Sequence, residues 1–221
     1  MPHAITARQA HAYCKRGWQG QPCTLARHLV HLGHERICVI SGITKDNDRT
    51  TMRLEGIRAE LLRHGVELRD SMVAERAYSI SDGRNACELL FSRNNPPPTA
   101  IICGNDVLAL GALIECTAKG MDIPGDTSVV GFDNLEFATH SNPPLTTIDV
   151  PAEQMGADAA GYALGVLSGD EVNMHNSVEV QMILRNSSAP PKKLIAARPK
   201  QIAYQLTYRC NQPVDNAVYA L

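Results

Sequence analysis

The sequence predicts an α/β fold built on a doubly wound parallel sheet. Two observations carry this. Short, continuous apolar runs such as ICVIS (Ile37–Ser41) and TAIIC (Thr99–Cys103) have the length and evenness of strands buried on both faces. Between them lie amphipathic stretches of helical period that end on glycine, and strand–helix alternation of this kind builds βαβ units.

The elements follow in order. Met1–Gln21 has no clear period and no acidic residue. LARHLVHLG (Leu25–Gly33) reads as a short amphipathic helix closed by Gly33. Ile37–Ser41 is the first strand, and 42–49 is a polar loop. TTMRLEGIRAELLRHG is a helix with Leu54, Ile57, Leu61 and Leu62 on one face and Gly65 as its stop. Val66–Ala77 is a weak strand, and Ser81–Arg93 is a helix ended by NNPPP. Thr99–Cys103 is a strand. Asp106–Lys119 is a helix with Asp106 as N-cap, Gly120 as C-cap, and Leu110, Leu113, Ile114 and Thr117 inward. Thr127–Phe132 and Leu145–Val150 are strands. Pro151 opens a helix to about Ser168, the favoured place for proline. Asn176–Leu184 alternates like a strand, and the pattern fades after Ala189–Pro191.

Bulk properties narrow the function. A chain of 221 residues, 44% hydrophobic and 20% charged, is an ordinary globular composition with enough length for a core. A net charge of −2 gives no global basic field for nucleic acid. No apolar run reaches the ~18–20 residues of a membrane span, and the N-terminus has no hydrophobic signal segment. Seven scattered cysteines without a CxxC pair point to a reducing cytoplasm. No Walker A loop, GxSxG or GxGxxG occurs, and no nucleophile with an oxyanion site is apparent, so neither an enzyme nor a cofactor is expected. His28, His31 and His34 form HxxHxxH, but Gly33 ends the helix before His34, so no metal site is expected.

In parallel α/β sheets ligands bind outside the carboxyl ends of the strands. The residues just after each predicted strand are therefore the candidates. They are Arg49 and Arg53 after the first strand, Tyr78 after the weak strand, Asn105 after TAIIC, and Asp133 after TSVVGF. Guanidinium, amide and carboxylate groups together offer the donors and acceptors a polyhydroxylated ligand needs, and an aromatic face covers its apolar side. Taken singly, each Asn or Asp here also fits a turn or a helix cap.

The segments LARHLVHLGHERICVISG, NDRTTMRLEGIRAEL, PTAIICGNDVLALGAL, GMDIPGDTSVVGFDNLEFATHSNPPLTTIDVPAEQMGADAA and VEVQMILRNSSAPP resemble, in order and spacing, the effector-binding core of LacI/GalR-type transcriptional regulators. The resemblance covers about Thr24–Pro191. It implies a type I periplasmic-binding-protein-like fold of two subdomains with a small effector, a sugar or sugar acid, in the cleft between them. One subdomain is nearly complete, with part of a second. Arg53 resembles the family's sugar-clamping arginine, and Asn105 and Asp133 resemble further effector contacts. Arg49 lies on the same helix start, and Tyr78 stands where family members place a stacking aromatic.

The resemblance implies an organisation of 1–23 outside the family pattern, 24–149 as the effector-binding C-terminal subdomain, 150–191 as elements of the N-terminal subdomain, and 192–221 as a disordered tail. The chain lacks the family's helix-turn-helix and hinge helix, as a truncated or frame-disrupted product would. Operator DNA would be reached only through a headpiece missing here, and a homodimer is the usual assembly. Its apolar face over 151–191 is expected to lie exposed. A transport solute-binding protein and a non-functional remnant are the other readings.

Overall fold

A computed structural model of the chain describes residues 20–168 and 180–192. Its elements are α1 (Gly20–His31), β1 (Ile37–Gly42), α2 (Asp48–Arg63), a 3₁₀ turn at Asp70–Met72, β2 (Val73–Arg76), α3 (Ile80–Arg93), β3 (Ala100–Cys103), α4 (Asp106–Ala118), β4 (Ser128–Val130), α5 (Glu136–His140), β5 (Thr147–Asp149), α6 (Ala152–Ser168) and β6 (Gln181–Ile183). The parallel sheet has the order β2-β1-β3-β4, so β1 is flanked on both sides and fully buried. Val39 pairs with Val73 in β2 and with Ile102 in β3, and Ile102 pairs in turn with Val130.

Helices pack in pairs, α1 on α2 and α3 on α4. The core fills from both layers: Leu25 and Leu29 from α1, Ile57 and Leu61 from α2, Leu90 from α3, and Leu108 from α4, against Ile40 and Ile101 of the sheet. The α1–α2 seam also buries a carboxylate. Glu60 is fully buried and accepts from Arg27 Nε and Arg63 Nη1, each at 2.8 Å. A buried charge is tolerated only when paired and hydrogen-bonded in this way.

Three expectations are corrected. On α2, Leu62 is exposed at 46%, while Leu54, Ile57 and Leu61 are buried. On α4, the buried side chains are Leu108, Ala109, Ala112, Leu113 and Cys116; Ile114 and Thr117 face out and Leu110 is half-buried. The cause is a close helix crossing. A Cβ on Gly111 would collide with the Ile80 carbonyl, and one on Gly83 would meet the Leu108 backbone. That glycine contact sets the rotation of α4, whose nearly continuous apolar sequence cannot. The N-cap of α4 is Asn105 and not Asp106: the Asn105 Oδ1 accepts from Leu108 N at 2.9 Å, and Asp106 is buried inside.

The chain leaves this body after Val150 and returns at Val180. Of the 150–191 stretch expected with a second subdomain, residues 180–191 return to this body, where β5 and β6 form a separate two-stranded sheet. β6 pairs antiparallel with β5, and β5 is linked to the β4 end by parallel bridges Val130–Thr146 and Asp133–Asp149. Ser187 fixes the return: its Oγ donates to Val129 O at 2.5 Å and accepts from Thr146 N at 2.8 Å. By contrast α6 touches the core near its start, through Met155, and its far end lies open, with Leu164 65% and Leu167 83% exposed. The expected strand over 176–179 and the tail over 193–221 lie outside the described residues, as does 1–19.

Candidate functional site

The strand-end residues gather at the carboxyl edge of the sheet. The turn after β2 brings Tyr78 across the end of β1, where Gly42 leaves room for it: a Cβ on Gly42 would collide with the Tyr78 ring and hydroxyl. The Tyr78 hydroxyl lies 3.2 Å from Thr50 Oγ1, a buried residue in the first turn of α2. Asn47 caps that helix, its Oδ1 accepting from Thr50 N at 3.1 Å, which fixes where Arg49 and Arg53 emerge. Arg49 is exposed on the first turn.

Arg53 sits at the centre. Its Nη1 donates to the Gly104 carbonyl at the end of β3, and its guanidinium carbon lies 4.1 Å from the centroid of the Phe132 ring after β4. Burial pulls the guanidinium below its usual pKa range; Tyr78 and Asp133 oppose that shift and Arg49 adds to it. Arg53 therefore feels three of the other four sequence candidates. Asn105 follows Gly104 directly, but its carbonyl oxygen is spent on the helix cap.

Asp133 stands in a left-handed corner. Asp133 has φ 107° and Asn134 φ 52°, conformations that non-glycine residues seldom adopt. Three contacts build the corner: Asp133 N donates to Ile148 O at 3.0 Å, Asn134 Nδ2 to Asp149 Oδ1 at 2.8 Å, and Leu135 N to Asp106 Oδ2 at 2.8 Å. Asp106 also accepts from Thr147 Oγ1 at 2.6 Å, and Gly131 is bare where a Cβ would strike its carboxylate. Burial pushes the Asp133 carboxyl up to about 6, with Arg53 pulling it down and Asp106 pushing it further up. Burial likewise raises Asp106, against hydrogen bonds from Thr147, Leu135 and the Phe132 backbone.

Asp133 lines an open cleft of about 600 Å³ whose other walls are Asn134, Asp149 and the start of α6. Of the five sequence candidates only Asp133 lines this cleft; Arg53, Tyr78, Arg49 and Asn105 do not. A second hollow of about 460 Å³ lies at the opposite end of the sheet, among Arg36, Arg69 and Arg93. Phe132 and the Gly104 carbonyl contact Arg53, and Asn134 lines the cleft, although none of the three is among the sequence candidates. Phe132 had a usable signal, an aromatic directly before the strand-end acid.

The HxxHxxH histidines serve three separate contacts. His28 Nε2 lies 3.0 Å from Ser188 Oγ, and His31 stacks edge-on to His64. His34 is buried between Thr99, Ser128 and Ala189, and burial lowers its pKa to about 4, so it is neutral. No group of metal-binding side chains forms among the described residues. Nor is any helix among them long and apolar enough to cross a membrane.

Residues 26–188 match the family model of the periplasmic binding protein-like domain. The HTH-type transcriptional repressor CytR of Escherichia coli (strain K12) is 32% identical over 162 residues, which are 73% of this chain and 47% of that protein. The crystal structure of a LacI family transcriptional regulator from Mycobacterium smegmatis superposes with a TM-score of 0.72 at 27% identity, covering 78% of this chain and 64% of that one. A transcriptional regulator CelR–cellobiose complex superposes with a TM-score of 0.72 at 28% identity, covering 78% of this chain and 53% of that one. The chain thus spans about half the length of the curated relative it matches.

Proposed function

We propose a function from the premise that the chain belongs to the periplasmic binding protein-like family, in its LacI/GalR regulator branch. In our reading it supplies the effector-sensing surface of a transcriptional repressor and is a binding domain, not an enzyme. The effector is a small polyhydroxylated metabolite, a sugar or sugar acid, contacted by Arg49, Arg53, Tyr78, Asn105 and Asp133. One observation carries this: Arg53, held on the Gly104 carbonyl and over the Phe132 ring, and the carboxylate Asp133 next to Phe132 are both partly desolvated and within electrostatic reach of each other where a parallel sheet opens. Arg53 offers planar donors and Asp133 only acceptors, so together they satisfy both faces of neighbouring hydroxyls. A relative held with cellobiose supports a sugar.

The cleft walls come from two sources, the Asp133 corner and the start of α6 beyond the Val150–Pro151 crossing. A ligand bridging them shifts the balance between open and closed arrangements. Residues 24–149 with 180–191 form one sensing subdomain, and 150–168 leads towards the other. Operator DNA is contacted through a headpiece, which the described residues do not form, and the assembly is a homodimer, readable by light scattering.

Thermal-shift screening of the full chain against neutral sugars and sugar acids tests the reading. At least one class should raise the melting temperature, and Arg53→Ala should abolish that rise, a loss of tenfold or more in affinity. A parent that responds to no sugar, or an Arg53→Ala variant that responds equally, removes the proposal.

A further inference from the structure

We propose that Arg185 is a positioning residue of the effector site: it clamps the side-chain amide of Asn134 and so holds the corner that presents Asp133 to the cleft. Two successive non-glycine residues at positive φ persist only where their surroundings over-determine them. Asn134 is held on both ends of its amide. Asp149 Oδ1 accepts from its Nδ2 at 2.8 Å, and Arg185 Nη2 donates to its Oδ1 at 2.7 Å. This pairing also fixes which end of the amide is oxygen.

Arg185 is itself rigidly anchored. Its Nη1 donates to Leu145 O at 2.7 Å, its Nη2 also to Thr139 Oγ1 at 3.0 Å, and its backbone N to Thr146 Oγ1 at 3.0 Å. One planar guanidinium thus ties α5, the start of β5 and the corner to the segment that returns to the sheet. Asp149 closes the clamp from the residue before the chain leaves at Val150. Both passages of the chain across the cleft edge, out after β5 and back at β6, are therefore fastened to the residue beside Asp133. Lysine has one point charge where this site uses two separate donors of a fixed fork, so it can replace only part of the clamp.

The functional meaning of the clamp rests on the effector reading, but its geometry can be tested without a ligand. Asp133 titrates high because the corner holds it out of water, with Arg53 and Asp106 as the charged groups that face it. Carbon-13 NMR of the Asp133 carboxyl in the full chain reads that directly. In Arg185→Gln the corner relaxes, and the Asp133 midpoint should fall from about 6 towards the ordinary aspartate value of about 4. Arg185→Lys should recover part of the shift. Asn134→Gly is the second variant: glycine takes φ 52° without strain, so the fold persists while the clamped amide is gone, and the same fall is expected. A folded Asn134→Gly or Arg185→Gln protein whose Asp133 midpoint stays within a few tenths of a unit of the parent overturns the proposal. A fallen midpoint in a chain that answers no sugar keeps the clamp and rejects the effector reading. An unchanged midpoint in a chain that does answer one rejects the clamp alone.

Discussion

Asp133 is a carboxylate kept partly out of water beside one guanidinium, and that combination makes stability depend on pH. Its pKa rises on folding from 3.8 to about 6. Between those values the folded chain binds a proton that the unfolded chain has released, so stability is highest below the window and falls as pH rises through it. At about 1.4 kcal/mol per pKa unit the ionised Asp133 costs on the order of 3 kcal/mol well above pH 6. Asp133→Asn removes that cost, so urea titrations should find variant and parent alike near pH 3.5 and the variant more stable at pH 8. An equal gap at both pH values would show that Asp133 is not the titrating group. The same charge is what a hydroxylated effector needs as an acceptor, so effector affinity should rise across the window in which stability falls. At this scale the sequence is readable where chemistry and position coincide: Arg53 and Asp133 follow strands and carry opposite charge. Arg185 was not readable, because its role depends on a contact with Asn134 across 51 residues. The Gly104 carbonyl was not readable either, because a backbone oxygen has no letter of its own.

Among elements, glycine shows how identical letters have opposite consequences. Gly83 and Gly111 are the contact through which α3 and α4 cross, and a methyl group on either meets backbone of the other helix. Backbone cannot retreat as a side-chain tip can, so Gly111→Ala should cost about 1–3 kcal/mol even though alanine gains helix propensity of about 1 kcal/mol. A methyl group on Gly156 or Gly161 in α6 would meet nothing within 4 Å. There the substitution meets no obstacle, so Gly161→Ala should add helical ellipticity and leave the main transition unlowered. Urea unfolding and far-ultraviolet circular dichroism of the two variants check the contrast; a destabilised Gly161→Ala chain would mean that α6 is packed around Gly161 after all. The existence of α4 was legible from its length, its Asn-Asp start and its Gly120 stop. Its inward face was not, because apolar residues occupy nearly every position and periodicity selects none. β2 was only faintly legible, since its exposed edge leaves a mixed pattern, with Glu75 and Arg76 turned outward or half-buried.

For the whole molecule the question is what makes the sheet a closed body when one part of the chain departs from it. The return segment answers that. Ser187 lies against β4 and supplies both a donor to Val129 O and an acceptor to Thr146 N, while Val129 N donates back to Ser187 O at 2.8 Å. Ala189 N donates to Ser128 Oγ at 3.0 Å, and the Ala189 carbonyl lies 2.9 Å from Nε2 of neutral, buried His34. These groups sit in the interior on the sheet side, where Ser128, Thr146, Ser187 and His34 are all buried. Linear order suggested that everything after Val150 belongs elsewhere, because pairing between β5 and β6 spans a departure that no local pattern marks. A chain ended after Ser168 loses the Ser187 partners of Val129 N and Thr146 N, the Arg185 partner of Leu145 O, and the Ala189 partner that His34 and Ser128 Oγ share. At about 1–3 kcal/mol for each buried polar group left unpaired, the sum reaches the roughly 5–15 kcal/mol of a whole domain. That chain should show no cooperative thermal transition, whereas one ended after Lys192, which keeps the seam and the Lys192–Asp126 ion pair at 2.7 Å, should melt like the parent. Circular dichroism melts of the two truncations decide it: a cooperative transition near the parent's in the Ser168 chain would mean that the seam is ornament, and that strands β1 to β4 with their helices are stable without it.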